Sequence, residues 1–223
     1  MIEAVIFDMD GLLIDSEPFW QDAEMKVFSD IGFQLTREMC KETTGLRIDE
    51  VVAHYHRQQR WDLGRWSLAS VSNAIVDEVI AAVNNEGQPL PGVQQAIEMC
   101  VQQNKPLALA SSSNLRLIEA VLKHLNITEF FSVVHSAEFE TYGKPHPSTF
   151  LTTAEKMKKH PTECLVFEDS LNGVIAAKAA RMICIAIPEA ESPHKDKLSV
   201  ADVILHSLEE FDESLWQTLN QHS

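Results

Sequence analysis

Asp8 and Asp10 stand two residues apart where the apolar run Ala4-Val5-Ile6 gives out. Two carboxylates held ~4 Å apart at an effective dielectric of 20 repel by ~4 kcal/mol. The chain of 223 residues already carries a formal net charge of −15, so this placement calls for a local positive charge. Glu168 and Asp169 close a second apolar run, Cys164-Leu165-Val166-Phe167. The four carboxylates could surround a hard cation through oxygen ligands; Mg²⁺ suits a few carboxylates together with waters and a phosphate. Lys144 supplies a point positive charge. Ser111, with Ser112 after it, precedes a helical pattern whose first N–H groups can donate to a phosphate. Carboxylates, a cation, a lysine and a helix N-terminus compose a phosphoryl-transfer site.

These residues must be brought together by elements that the sequence also announces. Apolar strand-like runs occupy residues 106–110, 133–134, 164–167, 183–186 and 203–205. Between them, residues 91–104, 114–124, 147–158 and 171–180 carry apolar positions at helical spacing. The rhythm predicts an α/β fold: a Rossmann-like, mostly parallel sheet covered by helices on both faces. In such sheets ligands bind outside the carboxyl ends of the strands. Asp8 and Asp10, Ser111 and Ser112, Lys144, and Glu168 with Asp169 all fall at or after strand ends.

Residues 16–88 break the rhythm. Residues 19–31 and 67–83 each present one apolar face, and no buried strand is evident. A helical cap domain over 16–88, inserted into an α/β core of residues 1–15 and 89–223, accounts for this. Gly87, Pro89, Pro91 and Gly92 mark the return to the core.

The bulk properties exclude several classes of partner. Only 18 Lys and Arg face 33 Asp and Glu, which disfavours nucleic acid and anionic membrane surfaces. No apolar run approaches the ~18 residues that span a bilayer. The strand pattern near the first residue leaves no room for a signal peptide. Cys40, Cys100, Cys164 and Cys184 form no CxxC and fit a reducing, cytoplasmic setting. The absence of an exposed apolar stripe predicts a monomer.

The order of the motifs is also informative. FDMDGLLIDSEP, a strand ending in hydroxyls, GKPHP and FEDSLNG resemble the haloacid dehalogenase-like superfamily, and within it the β-phosphoglucomutase-like sugar phosphatases. The resemblance covers essentially the whole chain, cap included. It implies a Mg²⁺-dependent phosphatase acting on a small sugar or polyol phosphate, of the hexose 6-phosphate type such as 2-deoxyglucose 6-phosphate. It further implies Asp8 as the nucleophile and Asp10 as the acid and base. The metal would be held by Asp8, the Asp10 backbone carbonyl and Asp169, with Glu168 in or near its shell. Ser111, Ser112 and Lys144 would hold the phosphoryl group, and the cap would bring Trp20 as an apolar wall and Arg47 towards the substrate.

Other readings compete at several positions. Asp169 could be a helix N-cap, Ser112, Ser113 and Asn114 could cap the helix after the second strand, and Lys144 and Arg47 could be surface cations. For the whole chain, the mutases of this group are the nearer rival. They carry a histidine where this chain has Trp20, and an indole cannot relay a proton in that way, which favours hydrolysis. Asp10 separates the chain from dehalogenases and phosphonatases, which lack an aspartate there. A non-catalytic sugar-phosphate-binding protein on the same fold would usually have lost Asp8 or Asp10.

Overall fold

The computed structural model describes residues 1–188 and 195–221. Six strands form one wholly parallel sheet: β1 (Ala4–Phe7), β2 (Leu107–Ser111), β3 (Phe131–Ser136), β4 (Cys164–Glu168), β5 (Ile183–Ala186) and β6 (Val203–Ile204). Their order is β3-β2-β1-β4-β5-β6. The order reverses between β1 and β4, where a doubly wound sheet opens a crevice at its carboxyl edge.

Burial on both faces explains why the strands read as unbroken apolar runs. Every residue of β1, β2 and β4 is buried. Val5 and Phe7 join one core cluster, and Ala4 and Ile6 the other. Phe7 stacks on Phe167 at 4.8 Å between ring centres. Register pairs Phe7 with Leu109 on one side and with Phe167 on the other. Asp8, one residue past β1, therefore emerges beside the ends of β2 and β4.

Four helices lie between β1 and β2: α1 (Glu17–Asp30), α2 (Arg37–Glu42), α3 (Ile48–Gln58) and α4 (Leu68–Glu86). α2 is capped by Thr36 and α4 by Ser67, whose side chains accept from Met39 N–H and Ser70 N–H. Five more helices cover the sheet: α5 (Val93–Gln102), α6 (Leu115–His124), α7 (Ser148–Lys156), α8 (Leu171–Ala179) and α9 (Glu213–Gln221). Two arginines help tie the α1–α4 segment to the sheet layer. Arg116 of α6 pairs with Asp77 of α4 and donates to Asn73 O. Arg47, just before α3, donates to Ala137 O and Glu140 O at 3.0 and 2.8 Å.

Ser170 is the N-cap of α8, its side chain accepting from Gly173 N–H at 3.1 Å. The capping alternative for Asp169 is thereby taken up by its neighbour. Gly173 has a second role. A Cβ there would overlap the Glu168 carboxylate. Gly173→Ala should therefore push Glu168 off Lys144, destabilise the fold by ~1–3 kcal/mol as overpacking does, and reduce turnover with it. Urea unfolding checks the first effect and phosphate release the second; wild-type values in both would mean that the carboxylate has room to move.

Candidate active site

One pocket at the carboxyl edge of the sheet collects most of the residues singled out above. Asp8, Asp10, Ser111, Ser112, Lys144 and Asp169 line it from the sheet side, and Trp20 from α1. Glu168 lies directly behind, fully buried.

Lys144 is the centre of the charge arrangement. Its Nζ donates to Asp8 Oδ1 at 2.7 Å, to Glu168 Oε1 at 2.6 Å and to Ala110 O at 3.3 Å. The ammonium also sits 4.8 Å from the centre of the Phe150 ring. Burial works against its charge, but Asp8 and Glu168 outweigh burial and hold its pKa above the ordinary lysine value. Burial pushes the Asp8 carboxyl up to about 7 against the pull of Lys144, with Glu168 and Asp10 adding to the rise.

Asp8, Glu168 and Asp169 each offer an oxygen within 4.8 Å of the others. Three carboxylates facing one ammonium leave an excess of negative charge, which is the chemistry that a divalent cation fits. The three are not equivalent. Glu168 Oε2 already accepts from Asp169 N–H, Ser170 N–H and Ser170 Oγ–H, and Oε1 accepts from Lys144. Its lone pairs are largely committed to fixing Lys144 and the start of α8. Asp8 and Asp169 are the better placed to ligate.

Asp10 accepts from a ring of donors. Ser16 Oγ–H and Trp20 Nε1–H reach Oδ1 at 2.6 and 3.0 Å, and Ser113 Oγ–H reaches Oδ2 at 2.7 Å. Ser111 Oγ lies 3.4 Å from Oδ2. Trp20 is thus more than an apolar wall, because its indole N–H ties α1 to Asp10. Of the three capping candidates after β2, Asn114 takes the N-cap position of α6, and Ser113 turns to Asp10 instead. Ser112 Oγ is buried and has no hydrogen-bond partner, a donor left over at the pocket wall.

Arg47 departs from expectation. It is not among the pocket-lining residues. Its guanidinium is bound to the two carbonyls already named and to the carboxylates of Asp49 and Glu50 at 3.1 and 3.5 Å.

Beside Glu17, the α1 side of the pocket supplies two residues that sequence reasoning passed over, Gln21 and Glu24. Glu17, Gln21 and Glu24 line it, with Thr44 from the loop before α3. Their spacing of four and three residues was the available signal, since it puts all three on one helix face. Glu24 is buried among Cys40 and its helix neighbours. Burial lifts its carboxyl to about 7, the Cys40 thiol opposing and Glu17 assisting. Folded Glu24 therefore holds a proton that the unfolded chain, at 4.5, has released. Stability falls as pH rises through that window, by on the order of 3 kcal/mol in total. Glu24→Gln should accordingly raise the melting temperature markedly at pH 8 and little at pH 4. An equal shift at both pH values would show a solvated Glu24.

The doubly wound sheet, the aspartates at its first strand end and the lysine behind them agree with the match of residues 2–181 to the haloacid dehalogenase-like hydrolase model. The chain belongs to that family of hydrolases. Among individual proteins, it is 41% identical to hexitol phosphatase B of Escherichia coli K12 over 94% of both chains. It is 30% identical to the fructose-1-phosphate phosphatase YqaB of the same organism, over 82% of this chain and 95% of that one. Of solved structures, CbbY from Rhodobacter sphaeroides in complex with phosphate superposes with a TM-score of 0.87 at 28% identity, covering 94% and 96%. No helix among the described residues is long and apolar enough to cross a membrane.

Proposed function

We propose that the chain is a Mg²⁺-dependent phosphatase of small sugar or polyol phosphate esters, working through a phosphoryl group carried on Asp8. The observation that carries this reading is the Lys144 ammonium held between buried Asp8 and Glu168, with Asp169 alongside and Asp10 at the pocket mouth. The names of the relatives, which include hexitol and fructose-1-phosphate phosphatases, support the substrate class.

Asp8, Asp169 and the Asp10 backbone carbonyl would hold Mg²⁺, which when bound neutralises charge on the phosphoryl oxygens. Lys144 Nζ and Ser112 Oγ–H face the remaining oxygens, with Ser111 at the same strand end. A carboxylate oxygen of Asp8 attacks phosphorus as the ester P–O bond breaks, and Asp10 gives its proton to the departing sugar oxygen. A water then attacks the phosphoryl group, Asp10 takes its proton, and inorganic phosphate leaves with Asp8 restored. Ser16, Trp20 and Ser113 position the Asp10 carboxyl for both transfers.

Residues 16–88 act as the cap that shuts water from this pocket, with Arg47 as its clasp on the 137–140 turn. The four cysteines, all free and buried, suit the reducing cytosol. Hydrolysis is favoured over mutation of phosphate position because no histidine lines the pocket among the described residues. Trp20 can donate but has no lone pair with which to take up a proton.

A phosphate-release screen over sugar and polyol phosphates tests the reading. Release should require Mg²⁺, vanish with EDTA and return when Mg²⁺ is restored, with hexose and hexitol phosphates among the best substrates. Full release in EDTA overturns the metal assignment. Conversion of β-glucose 1-phosphate to glucose 6-phosphate faster than to free phosphate, with a trace of glucose 1,6-bisphosphate present, overturns hydrolysis.

A further inference from the structure

The α1 half of the pocket has a chemistry of its own. Glu17, Gln21 and Glu24 share one helix face and line the same space as Asp8 and Lys144. Glu24 is 6% exposed, and its Oε2 is buried with no hydrogen-bond partner. A buried polar atom without a partner is rare in a folded protein and calls for an explanation. Its neighbours are engaged: Gln21 Nε2–H and Thr44 Oγ–H both donate to Glu17 Oε1, and Arg37 donates to Gln21 Oε1. Glu24 lines the pocket with no protein donor on its Oε2, so an O–H group of the occupant is the partner its carboxyl would take.

The charges are also segregated. Lys144 is the one Lys, Arg or His among the described lining residues, and it sits at the sheet end. Neither Arg37, which donates to Gln21 Oε1 and pairs with Asp22, nor Arg47, held by the Ala137 and Glu140 carbonyls, lines the pocket. A second phosphate placed against α1 would meet the Glu17 carboxylate and the poorly solvated Glu24 carboxyl with no lining cation to offset its charge.

We infer that Glu24, with Glu17 and Gln21, reads the hydroxyl groups on the unphosphorylated end of the substrate and rejects a second phosphate there. The inference rests on the phosphatase reading above and narrows it: the substrates are monophosphates with a neutral, hydroxyl-bearing tail. Acceptors in a row along one helix face match successive hydroxyls of an open or cyclic polyol. Glucose 1,6-bisphosphate is excluded by the same groups.

The test compares wild type with Glu24→Leu, which keeps bulk and removes the acceptor, and with Glu17→Leu, in case the first variant fails to fold. The readout is kcat/KM for glucitol 6-phosphate divided by kcat/KM for p-nitrophenyl phosphate, which has no hydroxyl tail. That ratio should fall at least ~10-fold in either folded variant, the scale of a lost hydrogen bond to a charged group. Wild type should prefer glucose 6-phosphate over glucose 1,6-bisphosphate by at least ~10-fold. An unchanged ratio in folded variants, or equal use of the bisphosphate, overturns the inference. So does a tenfold preference for glucosamine 6-phosphate over glucose 6-phosphate, which would assign the carboxylates to an ammonium. If wild type releases phosphate from no ester at all, the phosphatase reading falls by itself. Calorimetry with glucitol 6-phosphate then decides the α1 assignment: a tenfold weaker Kd in Glu24→Leu supports it, and an equal Kd overturns it.

Discussion

Asp8→Asn should lower phosphate release by at least ~10⁴-fold while the protein stays folded. Phosphate monoesters are among the slowest of esters to hydrolyse without help, so the proposed mechanism leaves little activity once Asp8 cannot attack. The amide matches the carboxylate in shape, and its Oδ1 can still accept from Lys144, whose Nζ lies 2.7 Å from that atom in the wild type. Folding is further protected because the substitution removes a buried charge whose own pKa has been pushed up to about 7 by burial. Acid quench of the wild type during turnover should trap phosphorus on the protein, and the variant should trap none. Retention of more than ~1% of wild-type release would mean that water attacks the ester directly and that Asp8 serves only to hold a cation.

The strands and the residues at their ends were legible in the sequence for a simple reason. A strand buried on both faces must be apolar throughout, so its polar exit stands out. Thus β1, β2, β4 and β5 begin and end within one or two residues of the positions read from pattern alone. β3 was seen only as Val133-Val134, because it lies at the sheet edge and its alternation is blurred by half-exposed positions. α2 and α3 went unread. The first has six residues, too few for a period, although α3 does carry Ile48, Val51, Val52 and Tyr55 at helical spacing.

Partnerships within the site were harder to read than its membership. Nothing local to Lys144 says that it will lie between residues 136 positions before it and 24 after it. Nor does the sequence show that Trp20 and Ser113 converge on Asp10, or that Arg47 will prefer two backbone carbonyls to the pocket. Glu24 was hidden differently. A glutamate on an amphipathic helix reads as solvated, and only the docking of α1 over the sheet edge turns that polar stripe inwards. Helical spacing reports which residues share a face, not what the face meets.

The second large effect is expected from Lys144→Met. The side chain is 2% exposed and fills its space against Phe150, so methionine preserves most of the packing and removes the charge. Asp8 and Glu168 are then left buried and facing each other without a cation. Breaking a buried pair in this way costs ~3–5 kcal/mol. The Asp8 carboxyl, already pushed up to about 7, should shift further up once Lys144 no longer opposes the rise. The stability deficit therefore grows as pH rises above about 7, where wild-type Asp8 has lost its proton and the variant's has not. Phosphate release should fall at least ~10³-fold, since a donor to the phosphoryl oxygens is lost from a desolvated site. Two roles of Lys144 are tangled in that result, and the double variant Lys144→Met/Glu168→Gln separates them. It removes one of the stranded charges while keeping hydrogen-bonding atoms beside Asp169 and Ser170. Urea unfolding at pH 8 should recover at least half of the lost stability in the double variant, while phosphate release stays as low as in the single one. If release recovers together with stability, Lys144 acts only by holding the fold. If Lys144→Met unfolds like the wild type at pH 8, the two carboxylates are not stranded, and the charge balance described for this site is wrong.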